Sequence, residues 1–145
     1  MVFITVMILS WRLQQATKII AVHSNEKGTA FRVIMKYPPV TDKGKIKWWE
    51  ENNMIMNEKY HVPVDKGSYL ISFWVSDYKK NSNADQEGDL LCFNDMNTTA
   101  NCIEKNNNPL TILYNHDTHQ MMISLNNGES TYFKNTLTGH MRKVD

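Results

Sequence analysis

The stretch Tyr69-Leu70-Ile71-Ser72-Phe73-Trp74-Val75 is the most apolar run of the chain outside its N-terminus, and it opens just after a Lys66-Gly67 turn. Aromatic and β-branched residues suit a pleated surface, and so continuous a run leaves almost no polar face for water, so it reads as the central strand of a sheet. Its covering helix lies upstream. Tyr37-Pro38-Pro39 ends an earlier strand because proline cannot donate to a ladder. Thr41 or Asp42 can then cap a helix over Lys45–Tyr60, and Pro63 stops it. Ile46, Trp49, Met56 and Tyr60 keep a 3-4 spacing, interrupted by Asn53, that makes one apolar stripe, while Trp48 and Ile55 fall off it.

Further out, Lys18–His23 and Ala30–Met35 are short β-forming runs joined by turn chemistry over Ser24–Gly28, which reads as a hairpin. Downstream of the central strand come a polar loop, Tyr78–Gly88, a short strand, Leu90–Phe93, and an Asn-rich segment through Asn108. The last third reads as a meander: Leu110–Tyr114, a turn at His116-Asp117, Met121–Leu125, an Asn127-Gly128 hairpin turn, and Thr131–Lys134, with frayed final residues. The expected fold is α+β, a mainly antiparallel sheet with one principal helix (about 41–60) packed on it, preceded by an apolar N-terminal anchor helix. Residues 1–16 form the anchor and residues 17–145 one domain; no repeat is visible, and 145 residues leave no room for a second core.

Lys plus Arg number 16 against 15 for Asp plus Glu, too even a balance to grip a phosphate backbone, so nucleic acid is not an expected partner. Met1–Leu9 is apolar apart from Thr5 and closes on Ser10, Trp11 and Arg12. Spanning a bilayer takes roughly 20 apolar residues, so the run resembles the second half of a span whose basic cytoplasmic start lies outside the sequence; Trp11 would sit among headgroups. No basic start or small-x-small cleavage site marks a signal peptide. Arg12 and Lys18 after the run oppose a C-terminal domain outside the cytoplasm, and a buried first strand is the competing reading.

Cys92 and Cys102 are the only cysteines, ten positions apart, one at a strand end and one after a polar segment. They suit a local disulfide, which would stabilise by roughly 3 kcal/mol and requires an oxidising compartment such as the periplasm; two separate buried thiols are the alternative. His116-Asp117-Thr118-His119 has the best metal-like spacing, but on a turn the imidazoles share no face and no third ligand is evident. No phosphate loop, nucleophile elbow or zinc-helix motif occurs, and no cofactor is implied. Trp48 and Trp49 lie about 100° apart on a helix, so one of them is expected at the sheet edge or in solvent. Trp48 and Trp49 with Lys45 and Glu51, beside Lys47 and Glu50, would make an aromatic centre with a charged rim, the anatomy of a protein interface; ordinary packing at the core edge is the other reading. Asp85, Glu87 and Asp89, with Asp95 in the cysteine loop, suggest a second acidic surface.

Ile20-Ala21-Val22-His23, Thr41-Asp42-Lys43-Gly44-Lys45-Ile46-Lys47-Trp48-Trp49, Glu51-Asn52 and Glu58-Lys59-Tyr60 occur in order, followed by Cys92-Phe93-Asn94-Asp95-Met96 and Asn101-Cys102-Ile103-Glu104-Lys105-Asn106. Over roughly residues 10–115 this resembles the enterobacterial family of putative membrane proteins of unknown function. The resemblance implies an N-terminal transmembrane segment and one small domain, and names no reaction. The expectation for function is a single-pass inner-membrane protein with its domain in the periplasm. There it would bind an unknown protein partner as an envelope accessory or immunity-like factor, with no small-molecule substrate evident. The alternative is a small enzyme using a free cysteine or a metal at His116 and His119.

Overall fold

A computed structural model of the chain describes residues 3–8, 15–64, 66–81 and 90–144. A short helix, α1, covers residues 3–8. Then follow β1 (Lys18–Ser24), β2 (Ala30–Lys36), α2 (Asp42–Tyr60), β3 (Tyr69–Trp74), β4 (Leu90–Cys92), β5 (Cys102–Glu104), β6 (Leu110–Asn115), β7 (Gln120–Leu125), β8 (Ser130–Asn135) and β9 (Met141–Val144). Seven strands make one sheet in the order β1-β2-β3-β6-β7-β8-β9, and β4 and β5 form a separate ribbon. Every pairing is antiparallel except β2 with β3, which the α2 crossover makes parallel. The fold is thus the expected α+β sheet with one main helix.

Period-two alternation sends Phe31, Val33 and Met35 of β2 and Tyr69, Ile71 and Phe73 of β3 to one face. Leu110, Ile112 and Tyr114 of β6 and Met121, Ile123 and Leu125 of β7 continue that inner face, and α2 closes it with Trp49 and Met56. Trp49 meets Phe73 edge-on at 6.1 Å and Tyr69 at 6.3 Å. Truncating so buried an aromatic typically costs about 3–5 kcal/mol. The β4–β5 ribbon covers only one end of the opposite, outer face, where Phe93 and Ile103 pack on Ile34 and Trp74.

Helix α2 starts where the sequence places it. Thr41 is the N-cap, its Oγ1 accepting from the Gly44 N–H at 3.0 Å. Its other end is set by His61, in the left-handed region at φ 61°, whose N–H donates to the Asn57 carbonyl while Val62 N–H donates to Met56, two residues before Pro63. The β7–β8 turn is made by Asn126 and Asn127, both left-handed, with Gly128 following at φ 87°.

Two expectations need correction and one is refined. The final residues are not frayed: Met141–Val144 pairs with β8 as the sheet's edge. The central strand lies inside the sheet as expected, with its outer face covered by the ribbon at Trp74 and open at Leu70. The Asn-rich segment contains a strand, β5, bonded to β4. As for the anchor, no helix among the described residues is long and apolar enough to cross a membrane. Residues 3–8 are helical and exposed, and residues 1–2 and 9–14, the rest of the apolar run and its polar close, lie outside the described residues.

Candidate functional site

Strand register sets the outer face out in rows. One row runs Ala30, Leu70, Leu113, Met122, Phe133, Arg142, each residue directly opposite the next across β2, β3, β6, β7, β8 and β9. The row beside it runs Arg32, Ser72, Thr111, Ser124, Thr131, Val144. Leu113 is 42 % exposed, Met122 and Phe133 are half-buried, and the Arg142 guanidinium lies over the Phe133 ring, 5.2 Å from its centroid. From β3 to β9 the described strand residues of this face include one cation, Arg142, and no carboxylate; Arg32 adds a second cation at the β2 end. An apolar strip beside a hydroxyl strip, with arginine at both ends, is a surface with a defined complement: an apolar stretch bordered by acids.

Beside it stands the ribbon, closed by a Cys92–Cys102 disulfide. Its loop is latched to β1. The bulge between Ile19 and Ala21 inserts one residue, so Ile19 and Val22 both face α2 while Ala21 and His23 turn to the outer side. There His23, 7 % exposed, stacks on Phe93 with ring centroids 3.8 Å apart and planes 7° from parallel. Its Nδ1 lies 2.8 and 3.0 Å from the two Asp95 oxygens and its Nε2 lies 2.7 Å from the Tyr78 hydroxyl. A carboxylate only accepts, so Nδ1 donates to Asp95, and Nε2 shares a hydrogen bond with the phenol. Burial, and then the Asp95 charge, push the Tyr78 phenol above its usual value. A carboxylate–imidazole–hydroxyl chain has the order of a proton relay, and here it ties together the ribbon loop at Asp95, β1 at His23 and the segment after β3 at Tyr78. The cluster acts as a latch that fixes the ribbon on the sheet.

The residues named from sequence are distributed differently. Trp49 is 1 % exposed, as its place on the core-facing stripe implies, and Lys45 6 %, so Trp49 supplies no aromatic centre and Lys45 no charged rim to an interface. The Lys45 ammonium donates to Asn126 Oδ1 at 2.6 Å, and Asn126 Nδ2 donates to Asp42 at 2.9 Å, which ties the start of α2 to the β7–β8 turn. Trp48 is half-buried, edge-on to Phe73 at 5.5 Å, and packs at the border of the core. Glu51 is exposed and paired with Lys47 at 3.7 Å. His116 and His119 have ring centroids 5.7 Å apart, His119 lies 3.5 Å from the Tyr114 hydroxyl, and among the described residues no three His, Cys, Asp or Glu side chains gather as metal ligands. With both cysteines bonded to each other, neither is a free thiol. Asp85, Glu87 and Asp89 lie outside the described residues, and Asp95 belongs to the latch.

Sequence reasoning missed His23 and Tyr78 altogether. His23 was one polar residue at the end of an apolar strand, and its partner Asp95 is 72 positions away. The outer rows were hidden because they appear only when strands are placed in register. The family described as Enterobacterial putative membrane protein, a family of unknown function, matches residues 1–145. No curated protein and no solved structure matches the chain.

Proposed function

The chain belongs to the family of enterobacterial putative membrane proteins, and from that premise we propose that it is a membrane-anchored periplasmic domain that binds another protein through its outer sheet face. The observation that supports this reading is the Leu70–Leu113–Met122–Phe133–Arg142 row, which neither α2 nor the ribbon covers. The partner has an apolar ridge or strand flanked by carboxylates, matched to the row and to Arg32 and Arg142. Residues 1–16 hold the domain at the inner membrane, and the disulfide suits the oxidising side of it. Such a domain fits an envelope accessory or immunity-like factor.

The test is a photocrosslinking residue at Leu113 in the full chain, produced at native level in an enterobacterial host. The reading expects one stoichiometric adduct that disappears with Met122→Lys and is weakened by Arg142→Glu. Crosslinks spread over abundant envelope proteins, unchanged by either substitution, would overturn it. Alkylation of both cysteines in unreduced cells would overturn the periplasmic placement.

A further inference from the structure

On the inner side, α2 does not reach the end of the sheet, and the gap between it and the β8–β9 hairpin is a groove with two hollows. The outer hollow, about 430 Å³, is lined by Lys43, Ile46, Lys47, Glu50, Tyr132 and Met141. The inner one, about 220 Å³, runs under the helix between Trp49, Val64, Tyr69 and Ile123, with Glu50 shared by both linings. Glu50 is paired with Lys134 at 2.9 Å. Two features define an occupant. The floor of the outer hollow is apolar, with Ile46 from the helix and Tyr132 and Met141 from adjacent strands. The lining carries Lys43, Lys47 and Glu50, and the two nearby carboxylates are already taken, Glu50 by Lys134 and Glu51 by Lys47, while Lys143, opposite Tyr132 in the β8–β9 register, adds a cation on the same inner face beside the hollow. Among the described residues Lys43 and Lys143 have no ion-pair partner.

We infer that this groove binds a single-chain carboxylate amphiphile, a fatty acid, with its tail along Ile46, Tyr132 and Met141 and its carboxylate between Lys43 and Lys143. The combination of a mostly apolar cleft and a few convergent charges is the usual build of a small-ligand site. Lysine ammonium groups on flexible stems serve a carboxylate head as point charges, and their methylene stems extend the apolar wall. The groove lies on the opposite side of the sheet from the outer face, so the two surfaces can be occupied together.

The experiment is a titration of the full chain with dodecanoate below its micelle concentration, followed by methyl resonances of Met141, Ile46 and, as a remote control, Met122. Saturable shifts at Met141 and Ile46 with Met122 still are expected, and the exposed pair Lys43→Glu/Lys143→Glu should weaken binding about tenfold, the equivalent of two modest surface charge contacts. Equal affinity for dodecyltrimethylammonium would overturn the inference, because the rim would then not be reading charge. So would shifts led by Met122, or binding to anionic phospholipid vesicles without any response to free dodecanoate. The outer-face reading is scored separately, by the crosslink at Leu113, and loss of dodecanoate shifts at Met141 and Ile46 leaves that crosslink unchanged.

Discussion

Replacing the disulfide with Cys92→Ala/Cys102→Ala should destabilise the domain by an amount that can be worked out beforehand. The partners are ten positions apart, and the chain-entropy relation then gives about 2.7 kcal/mol for freeing that loop in the unfolded chain at room temperature. Cys102 is fully buried among the ribbon contacts, so loss of its sulfur leaves a small void that adds up to about 1 kcal/mol. Against the roughly 5–15 kcal/mol that holds a domain together, the total is a large fraction, and it lowers the melting temperature by about 10 °C for a chain of this size. Urea unfolding of the oxidised protein and the double variant, followed by tryptophan fluorescence, measures it directly. The His23 latch sharpens the test: in the oxidised protein Asp95→Asn should cost about 1 kcal/mol, discounted because the Asp95 side chain is 58 % exposed. In the double-alanine variant the same change should cost less, because the loop carrying Asp95 is no longer held in place. A disulfide effect below about 1 kcal/mol would refute the loop-entropy account, and an undiminished Asp95→Asn effect would refute the coupling between latch and disulfide.

Alkali should unfold the protein through the buried Tyr69 and the half-buried Tyr78. Burial and then Tyr114 raise Tyr69, and burial and then Asp95 raise Tyr78, so their contribution is complete below the usual phenol value of 10.0 and is lost as pH rises through the folded-state values. Tyr69→Phe should therefore flatten the fall in a circular-dichroism titration above about pH 10, and an unchanged curve would contradict it. At the acid end Glu104 is held below its usual 4.5 by its hydrogen bond and charge contact with Lys79, so its contribution is present above that value and is lost as pH falls; Glu104→Gln should remove that dependence from an acid-unfolding profile. Gly44→Ala should bring none of the roughly 1 kcal/mol that alanine usually gains over glycine in a helix, because its Cβ would sit 2.9 Å from the capping Thr41 Oγ1 and 3.2 Å from Pro39; a full gain in thermal denaturation would show the cap to be adaptable.

Much of the architecture was legible because local chemistry dictates it. The Thr41 cap, the Pro38-Pro39 break and the alternation in β2, β6 and β7 each act within a few residues of themselves. Periodicity assigns a face but does not name a neighbour, so the parallel β2–β3 pairing was not foreseen. Met141-Arg142-Lys143-Val144 looked like a loose end because an edge strand is short and charged, the same features that protect an open sheet edge. Trp49 was legible as part of the core-facing stripe, whereas Lys45 was assigned to a charged rim from its residue type, yet the side chain of Asn126, 81 positions away, gives the lysine an interior partner. The latch was invisible for two reasons: a single bulged residue reverses which face His23 occupies, and no local signal marks a bulge in a run such as Ile19-Ile20-Ala21. The abundance of asparagine does have a structural reading. Asn25, Asn101, Asn108, Asn115 and Asn135 bond open backbone groups at strand ends and turns, work that a sequence rich in short loops requires.

The connectivity of the sheet imposes a timetable on the growing chain. β1 with β2, and β6 through β9, are neighbours in sequence and can close within microseconds, whereas the seams β2–β3 and β3–β6 must wait for longer loops to come together. During synthesis from the N-terminus, β3 can find β2 and α2 early, but its other edge has no mate until Leu110–Asn115 emerges. In that interval the most apolar stretch of the domain is an open strand edge, the form in which chains recruit one another. The ribbon lies within that gap in the sequence, so oxidation of Cys92 and Cys102 before the seam closes shortens the tether between β3 and β6 and reduces the time that edge stands open.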